Sequence, residues 1–193
     1  MSTNEAVTWS LEGSFDGVAA GSRHYCALAT DGRLQCEGRD AAGETAPPAT
    51  EYRQVSAGRE TTCAVTSRGE LRCAGRDTHG QASPPGGIFW KVAASKFRHS
   101  CGVAEDRTVV CWGQSGGVPA DGSYADIAVG SPESCGVRTD GTLACWSTSA
   151  CPDVCSPPEG EFRNVTVGDG FACAVGTDGA LRCWGSYAGP GGG

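Results

Sequence analysis

Apolar positions in this chain alternate in short bursts and never keep a helical period. From Cys26 to Ala29 and from Arg33 to Cys36 every second residue is Cys or Leu, and Thr30-Asp31-Gly32 separates the two runs. Period-two alternation on both sides of an Asp-Gly predicts a β-hairpin. A three-residue loop ending in a left-handed Gly sets Ala29 opposite Arg33, and counting outward sets Cys26 opposite Cys36. Directly opposed side chains have Cβ atoms about 4.5–5.5 Å apart, and a disulfide prefers about 3.5–4.5 Å. A close, non-hydrogen-bonded pair therefore suits a bridge. Cys26, Leu28, Leu34 and Cys36 share one face of this hairpin.

The pattern returns four times, with Cys63/Cys73, Cys101/Cys111, Cys135/Cys145 and Cys173/Cys183 at the same spacing of ten. Val65/Leu71, Val103/Val109, Val137/Leu143 and Val175/Leu181 repeat the apolar face. On the other face stands a small residue, in turn Ala27, Ala64, Gly102, Gly136 and Ala174. Trp112, Trp146 and Trp184 lie diagonally across from it in the last three copies; the small residue leaves room for an indole to lie flat over it, which predicts an indole packed between repeats. Each repeat opens with a further alternating stretch, such as Tyr52 to Gly58. Three or four strands per unit, repeated five times, predict an all-β chain: a β-propeller of five small antiparallel blades with one disulfide in each. The repeats run over about 15–51, 52–88, 89–123, 124–161 and 162–193. Residues 1–14 are expected to add a closing strand beside the last repeat, because Val7-Thr8-Trp9-Ser10 looks like the blade end Ala144-Cys145-Trp146-Ser147.

Composition supports order through staples rather than through a large core. Leu, Ile, Val and Phe number 28 of 193 residues, while Cys numbers 12 and Gly 30. The two cysteines outside the repeat pattern, Cys151 and Cys155, share one loop and are expected to pair. An even, regularly spaced set of this kind reads as a disulfide framework in an extracellular or periplasmic compartment. Reduced buried thiols and zinc sites are the alternatives; zinc ligands usually come in much closer pairs. The first residues have neither a basic n-region nor an apolar h-region, so the chain reads as cytosolic or as a mature form, and the cysteines favour the second. Net charge is -7, which argues against a basic nucleic-acid surface. No apolar run is long enough to span a membrane. Asn164-Val165-Thr166 is a glycosylation sequon by pattern.

Val18, Gly21, His24, Cys26, Ala27, Leu28, Gly32, Leu34 and Cys36, with Gly80-Gln81 and Pro84-Pro85 in the second copy, resemble the regulator of chromosome condensation repeat, a propeller blade. The resemblance covers most of the chain and implies the fold. It says little about activity, since members include a GTPase exchange factor, a UV-B photoreceptor and a β-lactamase inhibitor. The chain departs from it in having five repeats where relatives usually have seven. It also has Arg107 at a turn glycine, which costs about 1 kcal/mol if φ is positive. In the fourth copy Ser149 to Cys155 replaces the Gly-Gln segment.

No catalytic constellation stands out. His24 and His99 hold one repeat position, so a structural role explains them. Asp31, Asp140 and Asp178 are turn residues, and Glu44, Glu51, Glu159 and Glu161 read as solvated loop charges. No metal site and no cofactor are expected. In a repeat protein the copies build the scaffold and their differences carry specificity. The candidate binding residues are therefore Arg39 and Arg76, which share a loop position and suit anionic groups, and Pro152, Asp153 and Val154 in the stapled fourth loop. Phe89 and Trp90 read as part of a blade-opening strand. The function expected is that of a secreted, non-catalytic binding module recognising a protein through its loops. A multivalent glycan-binding lectin is the alternative, and inhibition of a secreted enzyme is a special case of protein binding.

Overall fold

A computed structural model describes residues 11–114, 117, 119, 121–147, 149–151 and 153–186. Fifteen strands form five separate sheets. The first blade holds β1 (Phe15–Ala20), β2 (His24–Ala29) and β3 (Leu34–Gly38). The second holds β4 (Tyr52–Ala57), β5 (Thr61–Thr66) and β6 (Leu71–Gly75). The third holds β7 (Phe89–Ala94), β8 (His99–Ala104) and β9 (Val109–Gly113). The fourth holds β10 (Tyr124–Val129), β11 (Glu133–Arg138) and β12 (Leu143–Ser147), and the fifth β13 (Phe162–Val167), β14 (Phe171–Gly176) and β15 (Leu181–Gly185). Each sheet is an antiparallel meander of three strands in chain order.

The predicted register is the observed one. Cys26 faces Cys36, and the other four repeat pairs, through to Cys173 and Cys183, match in the same way. All five are bridged, as are Cys151 and Cys155, and no described cysteine is free. A bridge closing a loop of ten residues is worth about 2–3 kcal/mol against the unfolded chain.

Each first strand starts with a bulge, between Phe15 and Gly17 in blade one and at the same place in the others. The bulge turns the opening aromatic over the small residue of the second strand. A Cβ on Gly102 would sit 2.9 Å from Phe89, and one on Gly136 would sit 2.6 Å from Tyr124. The small residue thus makes room first for the blade's own opening ring, where the sequence had suggested an indole. The indole packs beside that ring: Trp146 meets Tyr124 edge-on at 6.0 Å. The tryptophans do pack between repeats, Trp112 against blade two and Trp184 against blade four.

Successive blades stack face to face, and the core is the set of these junctions. One blade offers its disulfide face and the next offers its opening aromatic and the fourth residue of its first strand. Leu28 and Leu34 meet Tyr52, Val55 and Ala64. Cys63, Val65 and Leu71 meet Phe89 and Val92. Cys101 and Val103 meet Tyr124 and Ile127, and Cys135, Val137 and Leu143 meet Phe162 and Val165. The repeat cysteines, alike in spacing, are therefore not alike in environment, and Cys183 corrects the picture of five equivalent scaffold bridges. Cys183 is exposed, whereas the other nine repeat cysteines are buried or half-buried. The reason is its place in the series: among the described residues no blade follows the fifth to cover its disulfide face.

Neighbouring first strands share no ladder, so polar side chains join them. Gln54 takes the Val92 amide at 2.9 Å and gives to the Val92 carbonyl at 3.0 Å. Lys91 pairs with buried Asp126, whose other oxygen takes the Val165 amide at 3.1 Å. The repeat histidines are structural bridges of the same kind. His24 Nε2 lies 2.8 Å from the Thr62 hydroxyl, and His99 Nε2 lies 3.3 Å from the Ser134 hydroxyl, each on the following blade. Both rings are buried, which lowers their pKa values, for His99 to about 4. Among the described residues the first and fifth sheets do not pack on each other as successive sheets do. Val7 to Ser10, the expected closing strand, lies outside the described residues.

Candidate interaction face

Two kinds of loop meet along one edge of blades one, two, three and five: the turn joining the first and second strands, and the segment leaving the third. Main-chain hydrogen bonds tie them, from the Arg39 amide to the Arg23 carbonyl at 2.8 Å and from the Arg76 amide to the Glu60 carbonyl at 2.7 Å. The glycine ending the third strand is obligatory. Gly38 and Gly75 have φ of 114° and 109°, and a Cβ on either would come within 2.5 Å of a facing carbonyl oxygen. Asp40 and Asp77 then close their loops by accepting the Thr45 and Ala82 amides, each at 2.8 Å. These bonds hold the Asp40 carboxyl below its ordinary pKa. The aspartate builds the loop, so the preceding arginine is free to project.

The arginines picked out by loop position converge. Arg39 Nη1 lies 3.7 Å and Arg76 Nε 2.5 Å from the two oxygens of Glu60. Two guanidinium groups share one carboxylate, and both remain about half exposed. Glu60 gave no sequence signal beyond an acid at the turn position where repeats one and three carry Arg23 and Arg98. Next to them the third turn exposes Lys96, Phe97 and Arg98; Phe97 is 50 % exposed, with the Arg98 guanidinium 5.0 Å above its ring. Along this edge blades one to three carry exposed Arg23, Arg39, Arg59, Arg76, Lys96 and Arg98. The same loops of blades four and five carry Glu133, Asp153 and Asp169, with no Lys or Arg. The first three blades' loops also carry Asp40, Glu44, Glu60 and Asp77, so that half of the edge is weakly basic while the other is acidic, within a chain of net charge -7.

The fourth loop departs from expectation. Val154 is buried at 3 % exposure, packed in the junction of blades four and five. Its carbonyl accepts the Trp184 indole N–H at 2.8 Å, just as the Gln81 carbonyl accepts that of Trp112 at 3.0 Å. Val154 therefore plugs the place held by Gln81 in repeat two and Glu44 in repeat one, and it offers nothing to a partner. Glu44 is likewise buried, at 1 % exposure, where the sequence had suggested a solvated charge; its carboxylate accepts the Ala42 amide at 2.7 Å. Asp153 is exposed and accepts from the Ser186 hydroxyl. Pro152 lies outside the described residues.

The opposite edge, formed by the hairpin turns, is charged but self-neutralised. Arg33 pairs with Asp31, Arg72 with Glu70 and Arg182 with Asp178, each within its own hairpin. Exposed ion pairs of this kind contribute little to stability. Trp90, at 45 % exposure, is held on this edge between the guanidinium groups of Arg53 and Arg107, at 5.0 and 4.9 Å. Among the described residues no group of three or more His, Cys, Asp or Glu is arranged to hold a metal ion.

Residues 15–44 and 52–81 match the model of the regulator of chromosome condensation (RCC1) repeat. The first two blades carry the RCC1 repeat. No curated protein matches it over its sequence. Its fold is that of solved propellers. The CRINKLY WD40 ectodomain of the Arabidopsis thaliana receptor kinase ACR4 is 26 % identical at a TM-score of 0.74, over 89 % of this chain and 65 % of that one. Human WBSCR16 is 16 % identical at a TM-score of 0.78, over 91 % of this chain and 63 % of that one. Yeast RCC1 (Prp20), solved bound to Kap60, is 16 % identical at a TM-score of 0.72, over 89 % of this chain and 56 % of that one. The chain thus spans less than two thirds of the length of these structures.

Proposed function

We propose that this propeller is a secreted binding module whose loop edge recognises a protein partner through that partner's acidic surface. The carrying observation is the pair Arg39 and Arg76, which arrive from successive repeats on one shared carboxylate, remain about half exposed, and stand on the same edge as Arg98 and exposed Phe97. Arginine with an adjacent exposed aromatic is the composition of a binding hot spot. A basic half facing solvent speeds encounter with an acidic partner and repels a basic one. Six disulfides suit an extracellular or periplasmic setting. Two of the structurally similar proteins give the reading further support: ACR4 contributes a receptor ectodomain, and Prp20 is held in a complex with another protein.

The test is affinity capture by the oxidised protein from extracellular fluid of its source, repeated with the Arg39→Glu/Arg76→Glu variant and with free sugars as competitors. The wild type is expected to retain a partner that the variant loses and that sugars do not displace. Displacement by a sugar would make the protein a lectin and overturn the reading.

A further inference from the structure

Arg39, reaching from blade one to blade two, meets a carboxylate. One repeat later, where Arg76 takes the part of Arg39, an arginine stands in that carboxylate's place. The backbone fixes the equivalence. Glu60 directly precedes β5, and its carbonyl accepts the Arg76 amide at 2.7 Å. Arg98 directly precedes β8, and its carbonyl accepts the Gln114 amide at 2.9 Å. The loops above them are also placed alike. The Thr62 hydroxyl on blade two donates to the Glu44 carbonyl at 2.7 Å, and the Ser100 hydroxyl on blade three donates to the Gln81 carbonyl at 3.2 Å.

Glu60 is held from two sides, by Arg39 of the preceding blade and by Arg76 of its own. At Arg98 the same two places hold Arg76 of the preceding blade and Gln114 of its own. The contact within the blade survives with its polarity reversed, because Arg98 Nη1 donates to Gln114 Oε1 at 3.1 Å. The junction of blades two and three thus keeps the cation from the preceding blade and has a second cation where the first junction has its acceptor. Asp77, the acid of this loop, is turned inward, accepting the Ala82 amide at 2.8 Å and the Ser83 hydroxyl. Lys96, Phe97 and Arg98 are exposed beside it. Both blades that form this junction have a described neighbour on either side.

We propose that a carboxylate of the protein partner takes at this junction the place that Glu60 takes at the first, lying between Arg76 and Arg98, while an apolar neighbour of that acidic residue covers Phe97. The inference rests on the reading of the loop edge as the protein-binding surface and narrows it to one side-chain position. The chain supplies its own ligand at the first junction, and a guanidinium pair that accepts a carboxylate from within suits the same group arriving from outside. The occupant is an acidic side chain rather than a sugar acid because the group it replaces is itself a glutamate and because Phe97 offers an apolar contact next to it.

The blocked peptide acetyl-Leu-Glu-Leu-amide and its Gln analogue test this, titrated into the full oxidised chain and followed at the arginine side-chain N–H resonances. A single peptide is expected to bind, shifting the signals of Arg76 and Arg98, and the Gln analogue should bind at least about tenfold more weakly. Arg98→Glu fills the junction with a carboxylate of the chain's own, so it should melt as the wild type does and lose the peptide by at least about tenfold. Should its melt differ, Arg98→Gln replaces it, with the same loss expected. Glu60→Ala vacates the first junction and should let a second peptide bind. A peptide that does not distinguish Glu from Gln, unchanged binding by the Arg98 variant, or a Glu60→Ala protein that still takes a single peptide each overturns the proposal. A uronic-acid disaccharide that binds more tightly than the peptide would assign the junction to a glycan and also overturn it. Partner capture that still depends on Arg39 and Arg76 would then confine the failure to this placement, whereas loss of that dependence would remove the reading of the loop edge as well.

Discussion

Acidification should loosen the propeller at its blade junctions before it touches the surface carboxylates. His99 is 2 % exposed and its ring lies against Ser134 of the next blade. Burial disfavours the imidazolium and lowers its pKa to about 4, against about 6.5 in the unfolded chain. The unfolded state therefore binds the proton first on acidification. Stability is complete above pH ~6.5 and is lost as pH falls toward ~4. At about 1.4 kcal/mol per pKa unit, the difference amounts to ~3 kcal/mol for His99, with His24 adding loss of the same sign. A loss of that size is a sizeable fraction of a domain's net stability, about 5–15 kcal/mol. Asp178, held at about 2 by Arg182 and the Ala180 amide, and the turn carboxyls of Asp106 and Asp140, also lowered, act below that window. The assay is denaturant unfolding across the window for the wild type and for His99→Gln, which keeps a hydrogen-bonding side chain but cannot titrate. The wild type should lose ~3 kcal/mol more than the variant between neutral pH and pH ~4. Parallel pH profiles would refute the reasoning.

Three further outcomes follow from the same geometry. Replacing Cys101 and Cys111 together by Ser should cost about 2–3 kcal/mol, read as a lower denaturation midpoint, and reduction of all six bridges should abolish the cooperative melt. Arg107 stands at φ 71° where four other hairpins have Gly, so Arg107→Gly should recover about 1 kcal/mol of strain and lose about 0.5 kcal/mol of stacking on Trp90. A small rise in melting temperature would show this balance, and a fall would contradict it. Glu44→Gln puts in repeat one the residue that repeat two has at Gln81, keeping an oxygen for the Ala42 amide and removing a buried carboxylate; unfolding should show unchanged stability or a gain of about 1 kcal/mol.

Much of this architecture is written in local spacing. A hairpin with a fixed turn leaves one register, so a separation of ten residues sets Cys26 against Cys36, and the same arithmetic holds in every repeat. The recurrence of His24 and His99 at one position marked them as scaffold, and both prove to bridge blades. Contacts between blades were less legible, because spacing within one repeat says nothing of what the next repeat places opposite. The Cys173/Cys183 hairpin reads like the other four, yet Cys183 is exposed because its neighbour, not its own repeat, decides burial. Arg39 reaches Glu60 across a blade junction, a pairing no periodicity encodes. Whether a loop residue faces solvent or core is likewise decided by the neighbouring blade: Val154 and Glu44 both turn inward to present a carbonyl to the following repeat. The bulge opening each first strand had no turn residue to announce it, so the ring over Gly102 and Gly136 was assigned to the wrong aromatic.

The claim that the basic half of the loop edge does the recognising is tested most directly by the dissociation constant of the captured partner for the wild type and for Arg39→Glu/Arg76→Glu. Reversing both charges should weaken binding at least about tenfold, or ~1.4 kcal/mol, with the loss shrinking as salt is raised. Equal affinities for two equally stable proteins would contradict the account.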